Sequence, residues 1–270
     1  MQDKISEIDI KKLKAMAIGY TSLKLNLKSE AREKIEEKIA VEKPVNLFID
    51  DEHITTILVT PDKLKEFAVG FLLDEGIVKE RNQIKDLWIG DIDIKVKTIR
   101  REKMRIQVYR IARVITTECG SAEEFLRLLD RIEKPSVKKN MKLSAKKVNN
   151  AAKILSESAL TYTMHGAAVF QKNGKCISLA EDVGRHNAID KAIGEAVLTD
   201  IDLTRCFLVI TGRQSADMVL KAARVGIPIV ASLAGPIFSG IYASEKTGLT
   251  LIGGARGSHL RIYTHPERII

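Results

Sequence analysis

The chain has 270 residues, 45% of them hydrophobic and 29% charged. That mixture excludes wholesale disorder, and the length suits one or two domains that each bury a core. The 44 Lys and Arg outnumber the 35 Asp and Glu, and the formal net charge of +9 favours an anionic partner (nucleic acid, membrane surface, nucleotide or acidic protein) without choosing one.

Residues 1–38 are charged and loosely periodic, which suggests an amino-terminal helix or a partly ordered extension. The opening MQDKISEIDIKKLKAM holds no apolar run of the kind a secretory signal needs, so a cytoplasmic protein is expected. Residues 45–59 read as two strands around Asp50-Asp51-Glu52. Thr60 then suits an N-cap and Pro61 a first helical position. Leu64, Phe67, Ala68, Phe71 and Leu72 share one helical face, and Gly76 marks the stop. Partial alternation over 87–115 predicts strands, so 39–118 reads as a small α+β domain. Residues 119–140 read as a cysteine loop, a helix and a charged linker broken by Pro135.

The remainder, 141–270, alternates strands and helices. Ser144 caps a helix over 144–158, and Asn173-Gly174 turns a hairpin. The loop EDVGRHN at 181–187 leads into a helix over 188–198. CFLVIT and IPIVAS are apolar strands, separated by a helix in QSADMVLKAARVG. IYASEKTG is helical and LTLIGGA is a strand. Short, fully apolar strands alternating with helices argue for a layered α/β domain. The most apolar stretch, 225–241, is broken by Gly and Pro and is too short for a membrane span. It reads as a buried strand, a loop and the start of a helix.

Four segments carry groups suited to chemistry. Cys119 lies just before Ser121 and Glu124, a capping-box spacing. A helix amino terminus there would stabilise a thiolate, and so would the eight Lys and Arg against one Glu over 95–113. The alternative is a free cysteine at a turn. Cys176 and Cys206 sit in apolar strand patterns and read as inert buried thiols. With three widely spaced cysteines, neither a disulfide framework nor a four-cysteine zinc site is expected. The 181–191 segment gathers Glu181, Asp182, Arg185, His186, Asn187, Asp190 and Lys191 between a strand and a helix, where α/β domains bind ligands. Asn187 suits a helix cap, His186 a ligand contact or an acid/base role, and a salt-bridged surface loop is the alternative. Strand, Gly212, Arg213 and a helix capped by Ser215, with Asp217 in its first turn, form a generic anion site. Gly253-Gly254-Ala255-Arg256-Gly257-Ser258-His259 again suits a phosphate or a guanine edge, or is a Gly-rich turn. His165 reads as a structural residue at a strand edge, and His265 as part of a terminal turn.

TPDKLKEFAVGFLLDEGIV, Cys119-Gly120, HGAA at 165–168, EDVGRHNAIDKAIG, GRQSADMVLKAARVGIPIVAS, LTLIG with ARG, and IYTHPERI occur in that order. In these segments the chain resembles the FdhD family of formate dehydrogenase accessory sulfurtransferases. The resemblance implies a cytidine-deaminase-like α/β/α carboxy-terminal domain beside a smaller α+β domain. It implies a sulfur carrier: a cysteine desulfurase loads a persulfide, and the sulfur passes to the bis(molybdopterin guanine dinucleotide) molybdenum cofactor destined for formate dehydrogenase or a related molybdenum or tungsten enzyme. It places the persulfide on Cys119. The family's cofactor-binding stretch falls on Gly254, Ala255, Arg256, Gly257, Ser258 and His259. Together with Arg213, Arg185, His186 and Asn187 these would hold guanine and phosphates, with no division of the two between the loops, and a guanine nucleotide such as GDP would occupy the same site. No metal of its own is implied, and a homodimer is plausible.

Ala122 stands where the family has the second cysteine of CGxC, so sulfur cannot pass between two local cysteines, although one persulfide still suffices as a carrier. Tyr162-Thr163-Met164 replaces a glycine-rich stretch. A zinc deaminase needs H-x-E and a later P-C-x-x-C, and both are missing. A non-catalytic cofactor chaperone is the nearer rival. A nucleic-acid binder is disfavoured by an aromatic content of 5%.

Overall fold

The computed structural model describes residues 15–99, 135–138 and 140–270. Cys119, the helix expected after it and the strands expected beyond residue 99 lie outside these. Strands β1 (Ala17–Leu25) and β2 (Arg32–Ala40) pair as an antiparallel ribbon, which corrects the helix or extension expected over 1–38. Polar cross-strand pairs hold the ribbon: Ser22 Oγ donates to Glu37 at 2.6 Å, and Lys24 stands opposite Glu33. Charged residues on both faces hide the period of two from a hydrophobicity reading.

β3 (Lys43–Ile49) and β4 (Glu52–Val59) form the expected hairpin. Asp50 and Asp51 have φ of 49° and 68°, the two positive values a type I′ turn needs. The Asp50 carboxylate steadies this conformation by accepting from Thr98 N at 2.8 Å and Thr98 Oγ1 at 2.7 Å. With β5 (Ile84–Ile89) and β6 (Asp93–Thr98) they build a sheet of order β4-β3-β6-β5.

Helix α1 (Leu64–Asp74) covers that sheet but starts later than Thr60 and Pro61 suggested. Lys63 is its N-cap, in the left-handed region at φ 50°. Its Nζ is fixed across the chain by Leu179 O at 2.7 Å and Glu195 at 2.8 Å. Thr60 has other work. Its N–H donates to Asp182 Oδ2, its hydroxyl accepts from Val183 N, and its carbonyl accepts from Lys191 Nζ. Every residue from Phe67 to Asp74 is buried, so α1 is an internal helix and not the one-faced helix expected.

The second sheet has the order β12-β11-β10-β9-β7-β8. Its strands are β7 (His165–Gln171), β8 (Cys176–Asp182), β9 (Cys206–Ile210), β10 (Ile229–Ser232), β11 (Thr250–Arg256) and β12 (His259–Ile262). α2 (Ala145–Glu157) precedes it, with Ser144 as N-cap as expected. α3 (Arg185–Leu198), α4 (Ala216–Arg224) and α5 (Phe238–Thr247) connect β8, β9, β10 and β11. These strands follow one another in one direction across the sheet, so right-handed crossovers place all three helices on the same face. Ala167, Val169, Leu208 and Ile210 pack toward them. The alternate residues Ala168, Phe170, Phe207 and Val209 pack toward α2. The protein is therefore mixed α/β, with this sheet between two helical layers. The expected linker is partly built into this unit: Val137 is in the core and its N–H donates to Thr247 O at 3.0 Å. Among the described residues, no helix is long and apolar enough to cross a membrane.

The two sheets are joined through α1 and α3. A Cβ on Gly70 would lie 1.8 Å from Asp190 O, and one on Gly194 would lie 1.8 Å from Glu66 O. Only glycine allows helices this close. Beside the crossing, Lys221 Nζ is 2.7 Å from carboxylate oxygens of Asp74, Glu75 and Asp190. Arg224 donates to Asp74 O at 2.8 Å. Burial, then the charge of Asp74, pushes the Asp190 carboxyl well above its usual range. Burial opposes the Lys221 charge, but the three carboxyls outweigh it and Lys221 stays charged.

Candidate functional site

β9, β10 and β11 are mutually parallel, and β7 is antiparallel to both β8 and β9. One edge of the sheet therefore gathers the carboxyl ends of β8, β9, β10 and β11 with the amino end of β7. Open α/β sheets bind ligands at such an edge. Arg185 and His186 follow β8, Gly212 and Arg213 follow β9, and Gly254 lies near the end of β11.

Backbone ties make these loops one unit. Ser232 Oγ donates to Gly212 O at 2.6 Å and accepts from Ala234 N at 3.0 Å. Gly254 N donates to Ala234 O at 2.8 Å. Gln214, fully buried, donates its side-chain amide to Ile252 O at 3.1 Å, while its backbone N–H bonds Gly235 O at 3.3 Å. Arg213 is thus presented from an anchored loop. Gly212 permits the closest approach: a Cβ there would stand 3.2 Å from Arg185 Cβ and 3.7 Å from His165 Nδ1.

His186 donates from Nε2 to Asp217 Oδ2, and Ser215 Oγ donates to Asp217 Oδ1. Burial alone would raise the Asp217 carboxyl. The hydrogen bond and charge of His186, the Ser215 hydroxyl and the Arg185 charge outweigh it and hold that carboxyl far below the usual range. His165 is shifted the other way. Burial first, then the positive charges of Arg185 and His186, lowers its pKa, so the imidazole is neutral at pH 7. The edge therefore combines fixed cations, an ionised carboxylate and a neutral imidazole. Arg185 Nε is buried with no hydrogen-bond partner among the described residues. This donor set suits a phosphate or another anion.

The 181–191 segment divides between two roles. The helix starts at Arg185, three residues earlier than expected, so Arg185 and His186 occupy the first turn of α3. Asn187 is not the cap, which is Gly184. Its side-chain amide donates to Leu58 O at 2.8 Å and Asp182 Oδ1 at 2.9 Å, in the contact between the sheets. Asp182 and Lys191 pair there at 2.7 Å, both fully buried. Glu181 accepts from Leu160 N at 3.0 Å, and burial pushes its carboxyl up. The 253–259 segment also differs from the loop expected. β11 continues through Gly253, Gly254, Ala255 and Arg256, and after the turn at Gly257 and Ser258, β12 begins at His259. Gly254 and Gly257 supply φ of 62° and 66°, which the bulge and turn need. Arg256, Gly257, Ser258 and His259 are exposed beyond the edge, while Ala255 is buried.

Sequence reasoning missed two members of the site. His165 read as structural, yet pairing opposite Asp182 puts it at the carboxyl edge. Asp217 read only as a first-turn acid, because its partner His186 is 31 residues away. Cys206 is buried and its thiol is pushed up to about 11 by burial, in keeping with the inert reading. Cys176 is only partly buried, and burial raises it as well. His265 sits at a terminal turn as expected. Among the described residues, no group of three His, Cys, Asp or Glu could hold a metal ion.

Comparison with known proteins gives a consistent picture. The profile of the FdhD/NarQ family matches residues 40–270. A protein named sulfur carrier protein FdhD from Methanothermobacter thermautotrophicus is 34% identical over 252 residues, 89% of this chain and 95% of its own. The protein of the same name from Shouchella clausii is 33% identical over 244 residues, 87% of this chain and 91% of its own. A crystal structure from Desulfotalea psychrophila, described as a formate dehydrogenase accessory protein, superimposes with a TM-score of 0.73 at 26% identity. It covers 94% of this chain and 100% of that one.

Proposed function

Because the chain belongs to the FdhD/NarQ family, we propose that it is a sulfur carrier serving the maturation of formate dehydrogenase or a related molybdenum or tungsten enzyme. Cys119 accepts a sulfane sulfur from a cysteine desulfurase: its thiolate attacks the donor persulfide, a new S–S bond forms and the donor thiolate leaves. The bis(molybdopterin guanine dinucleotide) molybdenum cofactor is the substrate that receives the sulfur.

The observation that carries this reading is the carboxyl edge, where Arg185 and His186 open α3, Arg213 follows β9, and Arg185 Nε lacks a hydrogen-bond partner among the described residues. A pyrophosphate fits that donor set. The exposed turn from Arg256 to His259 lies beside it to meet the guanine, for which GDP is the simplest probe. Asn187 contributes by fixing the first turn of α3 and not by touching ligand.

Incubation with a cysteine desulfurase and cysteine should add one sulfur, about 32 Da, to the Cys119 peptide. Full formate dehydrogenase maturation by Cys119→Ala, in a strain lacking the native gene, would overturn the assignment. Ala122 at the second CGxC position favours a second reading, a chaperone that holds the cofactor while another protein sulfurates it. That reading predicts GDP binding by Cys119→Ala together with unchanged maturation.

A further inference from the structure

Six of the 44 Lys and Arg cluster away from the crevice. Lys172 and Lys175 sit on the β7–β8 turn, Lys146 and Lys147 on the first turn of α2, Lys142 just before it, and Arg205 at the entry to β9. All six are exposed. Lys147 Nζ donates to Lys172 O at 3.2 Å, and Lys172 N donates to Arg205 O at 3.1 Å, so three elements share one surface. β7 runs away from the crevice, which places this surface at the opposite end of the sheet. Among the described residues, Asp202 and Glu267 lie beside it, and Glu195 is close enough to Cys176, next to Lys175, to raise its thiol. Hydrogen bonds from Thr204 first, then the charges of Lys138 and Arg205, hold the Asp202 carboxyl low.

The first turn of a helix favours acidic side chains, yet that of α2 has none and carries two lysines. Five of the six cations are lysines, which lack the planar fork that reads phosphates and base edges. None of the three contributing segments presents an aromatic ring on which a base could stack or that could anchor in lipid. A field of hydrated point charges suits steering toward a surface of opposite sign.

We propose that this end of the domain is a docking surface for an acidic protein surface, held there while the crevice at the other end stays open. The charge map carries the inference, whether or not Cys119 carries sulfur. The test compares two triple variants, Lys146→Glu/Lys172→Glu/Lys175→Glu and Lys146→Arg/Lys172→Arg/Lys175→Arg. Lys146→Glu places an acid where the helix dipole favours one, so the fold should survive; melting curves and GDP binding check this. The probes are purified cysteine desulfurase, purified apo formate dehydrogenase, poly(U) RNA and phosphatidylglycerol vesicles. With one of the two enzymes, the association rate at low salt should fall about tenfold or more in the Glu variant and persist in the Arg variant. The wild-type rate should also fall steeply with added salt. Equal rates for wild type and the Glu variant, no association with either enzyme, or charge-dependent binding of RNA or vesicles alone would overturn the proposal.

Discussion

Replacing Lys221 by Met tests whether the buried charges between α1, α3 and α4 hold the two sheets together. The Lys221 side chain is 3% exposed, and those of Asp74 and Asp190 are 0% and 2%. Lys221→Met leaves the buried Asp74 carboxyl and the partly exposed Glu75 with Arg224 as their remaining cation among the described residues. Breaking a buried pair from one side costs about 3–5 kcal/mol. For a chain of this size that is a fall in Tm of about 10 °C, measurable by calorimetry. Asp190→Asn should behave differently. Burial first, then the charge of Asp74, favours the protonated form of Asp190 in the folded protein, and an Asn amide can donate in its place. The cost should stay within about 1 kcal/mol at pH 7. The pH dependence fixes the sign. The folded value for Asp190 is raised above the ordinary 3.8, so above that pH the folded state binds more protons than the unfolded chain. Wild-type stability therefore falls as pH rises through that window, and Asn has no proton to lose. The Tm of Asp190→Asn relative to wild type should climb from about pH 4 upward. A Lys221→Met protein as stable as wild type would refute the buried-pair reasoning, and a pH-independent difference for Asp190→Asn would refute the raised Asp190 carboxyl.

Gly194→Ala should destabilise by more than the few tenths of a kcal/mol of an ordinary surface change. Its Cβ would fall 1.8 Å from a backbone oxygen of α1, and overpacking of this kind costs about 1–3 kcal/mol or more. Urea unfolding of Gly194→Ala and of the exposed control Lys153→Ala separates the crossing from a general helix effect. His165 is neutral at pH 7 and charges as pH falls below its ordinary 6.5, adding a cation beside Arg185. The ratio of wild-type to His165→Gln affinity for GDP should therefore rise about two- to fivefold toward acid pH, the effect of one partly solvated charge pair. A constant ratio, read by fluorescence titration, would place His165 outside the ligand's field.

Much of the carboxy-terminal sheet is legible in the sequence because its strands are buried on both faces. A run such as CFLVI has one sensible environment, and the turns at Asp50-Asp51 and Asn173-Gly174 follow from local backbone preferences. The ordered motifs carry the family, and Arg185, His186 and Arg213 sit at strand ends where α/β topology puts ligands. Residues 17–40 misled because cross-strand Lys, Glu and Ser pairs leave no apolar period. Thr60 misled because its capping chemistry serves Asp182, Val183 and Lys191, all more than a hundred residues away. The same limit applies to the 181–191 segment. One run of polar residues is divided by the helix turn, with Arg185 and His186 facing the crevice while Asn187, Asp190 and Lys191 are buried against α1 and its neighbours. Composition established a net charge of +9. Only strand direction decided that six of the 44 Lys and Arg lie at the end of the sheet far from the crevice, because a charge count has no geometry until the chain is folded.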